Sequence, residues 1–124
     1  MATDRKFEWA PGRIFVFGSN RAGIHGAGAA LTARKHYGAL QTVGEGLQGS
    51  SYALPTKDEH IETLPLEVIG EHVRRFLVFA TSRRDLIFFV TRIGCGLAGY
   101  TDADIGPLFR GAPSNCELPE GWGV

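Results

Sequence analysis

The chain has 124 residues, 13 basic and 13 acidic, so its formal net charge is zero, and 44% of it is hydrophobic. That balance excludes steering of the whole molecule onto nucleic acid or an anionic membrane, and no apolar run approaches the roughly 20 residues a membrane-spanning helix needs. Two cysteines are too few for a disulfide framework; with an N-terminus, MATDRKFEW, that lacks the apolar core of a secretion signal, the expectation is reduced thiols in a cytoplasm.

A chain of this size is expected to form one domain with a modest core. Met1 to Gly12 reads as a short arm or an edge strand, ended by Pro11-Gly12. Ile14 to Phe17 are β-branched or aromatic and predict a buried strand, with Gly18-Ser19-Asn20 as the turn after it. Gly23, Gly26 and Gly28 follow with His25 among them, and Ala27 to Tyr37 predicts a helix with Gly38 as its C-cap. Strand, glycine-rich loop and helix start together form an anion-site pattern, because unpaired N–H groups at a helix N-terminus point at the ligand.

Gly44 to Ser51 reads as a loop, and Tyr52-Ala53-Leu54 as a short strand halted by Pro55. Lys57 and Asp58 then fall where a third loop would meet the cleft. Leu66, Ile69, Val73, Phe76, Leu77 and Ala80 recur at three-and-four spacing and predict a helix opened by Pro65. It ends near Ser82 to Asp85, where Arg83 and Arg84 suit the C-terminal dipole. Leu86 to Thr91 predicts a second buried strand, and Arg92 to Tyr100 a second glycine loop. Thr101 is placed to cap a helix from Asp102 to about Phe109. The tail from Gly111 reads as irregular and packed down by Trp122.

Helices separating strands imply crossovers. The expected fold is therefore α/β: a single three-layer domain over residues 1–124, with a mixed or mostly parallel sheet and helices on both faces. Both glycine loops would then meet at the C-terminal strand ends, where open α/β sheets bind ligands.

The first loop is neither a Walker A nor a dinucleotide motif, because no Gly-Lys-Ser/Thr follows it and Gly18, Gly23, Gly26 and Gly28 do not fit G-x-G-x-x-G after a strand. Asn20 either caps its own turn or orients a ribose hydroxyl. His25 is either structural or a second polar reader. Lys57 is either a solvated charge or a cation for a phosphate, nucleophile or base. Asp102 and Asp104 either complement the helix dipole, or activate a water or hold a ribose. Cys95, in a Gly-Cys-Gly turn, fits a need for small size better than reactivity. The four histidines and two cysteines show no metal-ligand spacing, and no cofactor is expected.

These motifs, in order from Ile14 to Phe109, resemble a macrodomain, the ADP-ribose-binding α/β fold. FGSN at 17–20 resembles the strand end carrying that family's Asn, and HGAGAALTARKHYGA at 25–39 its glycine loop and helix. YALPTK at 52–57 is similar to its central strand. RIGCGL at 92–97 is similar to the second phosphate loop of the branch that removes ADP-ribose from acidic side chains. The set also resembles small phage-encoded proteins of no assigned role.

The resemblance implies binding of ADP-ribose or a related nucleotide. Gly26, Ala27 and Gly28 would offer N–H groups to the diphosphate, and Gly94, Cys95, Gly96, Leu97, Ala98, Gly99 and Tyr100 would close over it. Asn20 would face the distal ribose, with His25 beside the glycines. Lys57 matches the lysine that attacks the sugar in the hydrolytic branch, with Asp102 as acid or base. That branch carries an acidic residue after its Gly-Cys-Gly-Leu, where this chain has Ala98, and its adenine-holding N-terminal strand and Gly-Asp turn are absent here. The alternatives are an ADP-ribosyl hydrolase using Lys57 with Asp102, or a non-catalytic phage protein that binds a host partner.

Overall fold

The computed structural model describes residues 5–124. Five strands form one sheet: β1 (Arg13–Asn20), β2 (Gly46–Gln48), β3 (Ser51–Lys57), β4 (Ile87–Val90) and β5 (Cys116–Glu117). Their order is β2-β3-β1-β4-β5, parallel throughout except for the β2–β3 hairpin. The helices are α1 (Gly28–His36), α2 (Leu66–Ser82) and α3 (Asp102–Ile105), the last continued by a 3-10 turn over Gly106–Phe109.

Alternation along β1 sorts the core into two layers, because successive side chains point to opposite faces. Ile14 and Val16 join Tyr52, Leu54, Phe88 and Val90 under α2, where Ile69, Val73, Phe76 and Ala80 supply the buried stripe. Phe15 and Phe17 join Ala53 and Phe89 under α1, through Ala30 and Ala33. Phe7 of the N-terminal arm packs edge-on against Phe15, Tyr37 and Phe89 and widens that thinner layer. The domain is thus three-layered, with helices on both faces. Phe76 is fully buried in the thicker layer, and its truncation to Ala would cost about 3–5 kcal/mol.

Several boundaries differ from the sequence reading. Gly18, Ser19 and Asn20 are not a turn. They extend β1 and pair with Leu54, Pro55 and Lys57, with a register shift between Ser19 and Asn20. Pro55 does not halt β3, because β2 pairs only as far as Ala53 and leaves that side of Pro55 without a partner strand. The expected loop over 44–51 contains β2, turned into β3 through Gly49 at φ +60. The tail supplies the two-residue β5 beside β4 and is otherwise irregular, with Trp122 buried as expected. Trp9 is 57% exposed and donates its indole N–H to the Ser50 hydroxyl. Arg83 turns its guanidinium to Asp85 at 2.8 Å instead of to the end of α2. Residues Met1 to Asp4 of the expected arm lie outside the described residues.

The strand order also fixes where a cleft forms. From β1 the chain crosses through α1 to β3 on one side; from β3 it returns through α2 to β4 on the other. The loops leaving β1 and β4 therefore diverge, and a crevice opens between them.

Candidate functional site

The ends of β1, β3 and β4 lie side by side, and the loops leaving them border a cleft of about 450 Å³, within the roughly 300–1,000 Å³ of small-molecule sites. Short bonds pin the strand ends. Thr91 donates its hydroxyl to the Val16 carbonyl at 2.7 Å, and the Arg21 N–H donates to the Lys57 carbonyl at 3.0 Å.

The first wall is the start of α1. Ala27, its N-cap, is extended at φ −154 and caps nothing with its side chain, and the first turn holds no acid. The N–H groups of Gly28, Ala29 and Ala30 have no partner within the helix, and all three residues line the cleft. Gly28 takes φ +57, and a Cβ there would meet nothing within 4 Å; it is needed for its backbone angle and leaves the wall open.

The opposite wall is the second glycine loop. Gly94 at φ +79 turns the chain over the buried Ile105, and Tyr100 donates its N–H back to the Gly94 carbonyl at 2.9 Å. Gly94, Gly96, Leu97 and Ala98 line the cleft. The loop is tied to the segment after β3: Thr63 donates to the Ala98 carbonyl at 3.1 Å, and the Tyr100 hydroxyl donates to the Leu64 carbonyl at 2.7 Å.

Lys57 ends β3 and lines the cleft. Its ammonium has no side-chain partner among the described residues. Arg92 lines it as well, and among the described residues no Asp or Glu does. Beyond Lys57, Asp58 accepts the His60 and Glu62 N–H groups at 2.8 and 3.0 Å and holds a tight turn. Those backbone donors, Glu62 first, hold its carboxyl below the usual range. The turn forces Ile61 to φ +64, a conformation that β-branched residues rarely adopt.

Other expected site residues are spent elsewhere. Asn20 lines the cleft, but its amide donates to the Ile24 carbonyl at 2.8 Å and accepts the Ile24 N–H at 3.0 Å. It closes its own loop, the structural alternative. His25 does not line the cleft. It is fully buried edge-on to Phe17, with Nε2 at 3.0 Å from the Val43 carbonyl. Tyr100 packs against the α2-side core, and Gly99 serves the loop's turn through an N–H to the Gly96 carbonyl at 3.0 Å. Cys95 is half-buried, and burial, with Asp102 next, pushes its thiol up.

Asp102 also lies outside the cleft lining. One carboxylate oxygen accepts the Trp122 indole N–H at 2.9 Å, and the other pairs with Arg92. These bonds, Trp122 first, pull its carboxyl below the ordinary value. Its charge fastens the tail and the second loop to α3. Thr101 and Asp104 form a reciprocal capping box at the start of α3.

The sequence reading missed Ile24, Ile61 and Arg92 as lining residues. Ile24, Ile61 and Leu97, one from each loop, are 52%, 40% and 79% exposed and ring the cleft with aliphatic surface. The only signal was their place beside glycines or beside Asp58.

Among the described residues no helix is long and apolar enough to cross a membrane, and no three His, Cys, Asp or Glu side chains are grouped to hold a metal ion. No protein-family model, no curated protein and no solved structure matches the chain.

Proposed function

We propose that this cleft binds ADP-ribose or a related nucleotide, with the diphosphate held between the start of α1 and the 94–98 loop. The observation that carries the reading is the uncapped α1 N-terminus facing a glycine loop across a cleft lined by Lys57 and Arg92 and, among the described residues, by no carboxylate side chain. Backbone N–H groups and a helix dipole favour a dense anion there, and Lys57 supplies an uncompensated charge to offset it, Arg92 being already paired with Asp102. Ile24, Ile61 and Leu97 offer apolar surface to the sugar or base. Calorimetry against ADP-ribose, NAD and AMP tests the proposal. A nucleotide diphosphate should bind more tightly than AMP, and Lys57→Ala should weaken it about tenfold or more, the loss expected for a hydrogen bond to a charged group. No heat with any of the three ligands would remove the proposal.

A hydrolytic reading rests on Lys57 alone. Its amine lines the cleft without a side-chain partner, where it could attack the sugar carbon that bears a departing carboxylate. Asp102, held by Trp122 and Arg92, is not the acid or base of that chemistry. Release of ADP-ribose from a protein modified on acidic residues, abolished by Lys57→Ala and kept by Asp102→Asn, is the result that reading requires. The cleft is open, so the alternative of a non-catalytic protein that binds a host partner gains nothing from it.

A further inference from the structure

A second cleft, of about 370 Å³, lies beside the first and shares no residue with it. Its walls are Arg21, Gly44, Glu45, Pro55, His72 and Arg75. Asn20 lines the first cleft and Arg21 the second, so neighbouring residues at the end of β1 serve the two. Here α2 supplies a wall, through His72 and Arg75 one turn apart.

The polar groups form a chain with a fixed sense. An Arg21 Nη2 lies 3.2 Å from Nε2 of His72. A guanidinium has no acceptor, so Nε2 must accept. The imidazole proton then sits on Nδ1, 2.8 Å from Glu45, and is donated to that carboxylate. The second Glu45 oxygen accepts from Arg75 at 3.0 Å. Read this way, His72 is neutral. Two guanidinium charges against one carboxylate leave one positive charge in excess.

That excess sits on Arg21. No carboxylate lies within salt-bridge reach of it among the described residues. Asp58 is close enough to feel its charge, but the carboxylate of Asp58 is turned to backbone N–H groups. A solvated surface arginine needs no orienting partner. This one is held by a histidine whose side chain is 3% exposed, itself held by Glu45. Holding a guanidinium fork with a neutral acceptor keeps both its geometry and its charge available, which is what recognition of an oxyanion requires. Arg75, 59% exposed on the opposite wall, is the second donor.

We infer that the Arg21–Arg75 cleft is a separate binding site for an oxyanion, either a phosphoryl group or a carboxylate, with His72 and Glu45 as positioning residues. The probes are inorganic phosphate and acetate, titrated into isotope-labelled protein at matched ionic strength against sodium chloride. Amide shifts of Gly44, Glu45, His72 and Arg75 are followed beside those of Gly28 and Gly96. Saturable shifts at the first group are expected, weakened about tenfold or more in Arg75→Gln, which alters an exposed side chain and leaves the fold intact. Glu45→Gln keeps an oxygen that accepts from His72 Nδ1, and so keeps the positioning contact, while it removes the competing negative charge; it should bind several-fold more tightly. Saturation by phosphate alone assigns a phosphoryl group, and saturation by acetate as well assigns a carboxylate, such as an acidic side chain of a partner. Linear drift equal to that with chloride, shifts confined to Gly28 and Gly96, or a Glu45→Gln variant that binds no better would overturn the inference.

Discussion

Substituting alanine at Gly94 and, separately, at Gly96 probes the second glycine loop, because the same methyl group meets two different environments two residues apart. At Gly94 the backbone takes φ +79, and a Cβ would lie 3.0 Å from Cδ1 of Ile105, a side chain with no exposure of its own. The left-handed conformation costs an L-residue about 1–2 kcal/mol, and forcing a methyl into a packed core about 1 kcal/mol or more. Reduced freedom of the unfolded chain returns roughly 0.4–1 kcal/mol. The net loss is about 2 kcal/mol. With an unfolding entropy of about 2.1 cal/mol/K per residue, a chain of 124 residues should melt roughly 8 °C lower. At Gly96 no left-handed angle is required and nothing lies within 4 Å of the added Cβ, so Gly96→Ala should melt within about 2 °C of the parent, a change below about 0.5 kcal/mol. Circular dichroism melts, checked by urea midpoints at constant m-value, decide the matter. Equal melting of the two variants, in either direction, would refute the account of how Gly94 shapes the cleft.

Ile61→Asn should raise stability by about 1 kcal/mol in urea denaturation, since Asn tolerates the left-handed region that Ile61 occupies at φ +64; the same change should weaken nucleotide binding by removing one of the rim side chains. Asp102→Asn should lower the melting temperature near neutral pH and expose Trp122, seen as a red-shifted fluorescence maximum. Because the folded-state pKa of Asp102 is depressed, the stability it contributes is present above the ordinary carboxyl range and is lost as pH falls through the folded value. The gap between parent and variant should therefore narrow on acidification and stay constant from about pH 6 to 8. Cys116, pushed up to about 11 by burial, should be alkylated at pH 8 about 100-fold more slowly in folded protein than in urea, as its smaller thiolate fraction requires; equal rates would show that the thiol is not desolvated.

What the sequence determined by itself was local. Ile14 to Phe17, the stripe from Ile69 to Ala80, and Thr101 before Asp102 each announce their structure because the deciding interactions lie within a few residues: side-chain alternation, helical spacing and a cap. The α/β class and the meeting of the two glycine loops were legible for the same reason, since helices between strands force parallel crossovers. Tertiary structure decided what each polar side chain is for. Asn20, His25 and Asp102 were plausible ligand readers by position, but Asn20 closes its own loop, His25 packs on Phe17 against a carbonyl 18 residues away, and Asp102 is claimed by Trp122, 20 residues on. It also decided the short strands. Gly46–Gln48 and Cys116–Glu117 have too few residues to show a period, and they exist because β3 and β4 present free edges to them. The Arg21–His72–Glu45–Arg75 chain joins three distant segments. A polar residue's partner is chosen by whichever group the folded chain brings within about 3 Å, and neighbours in sequence hold no record of that choice.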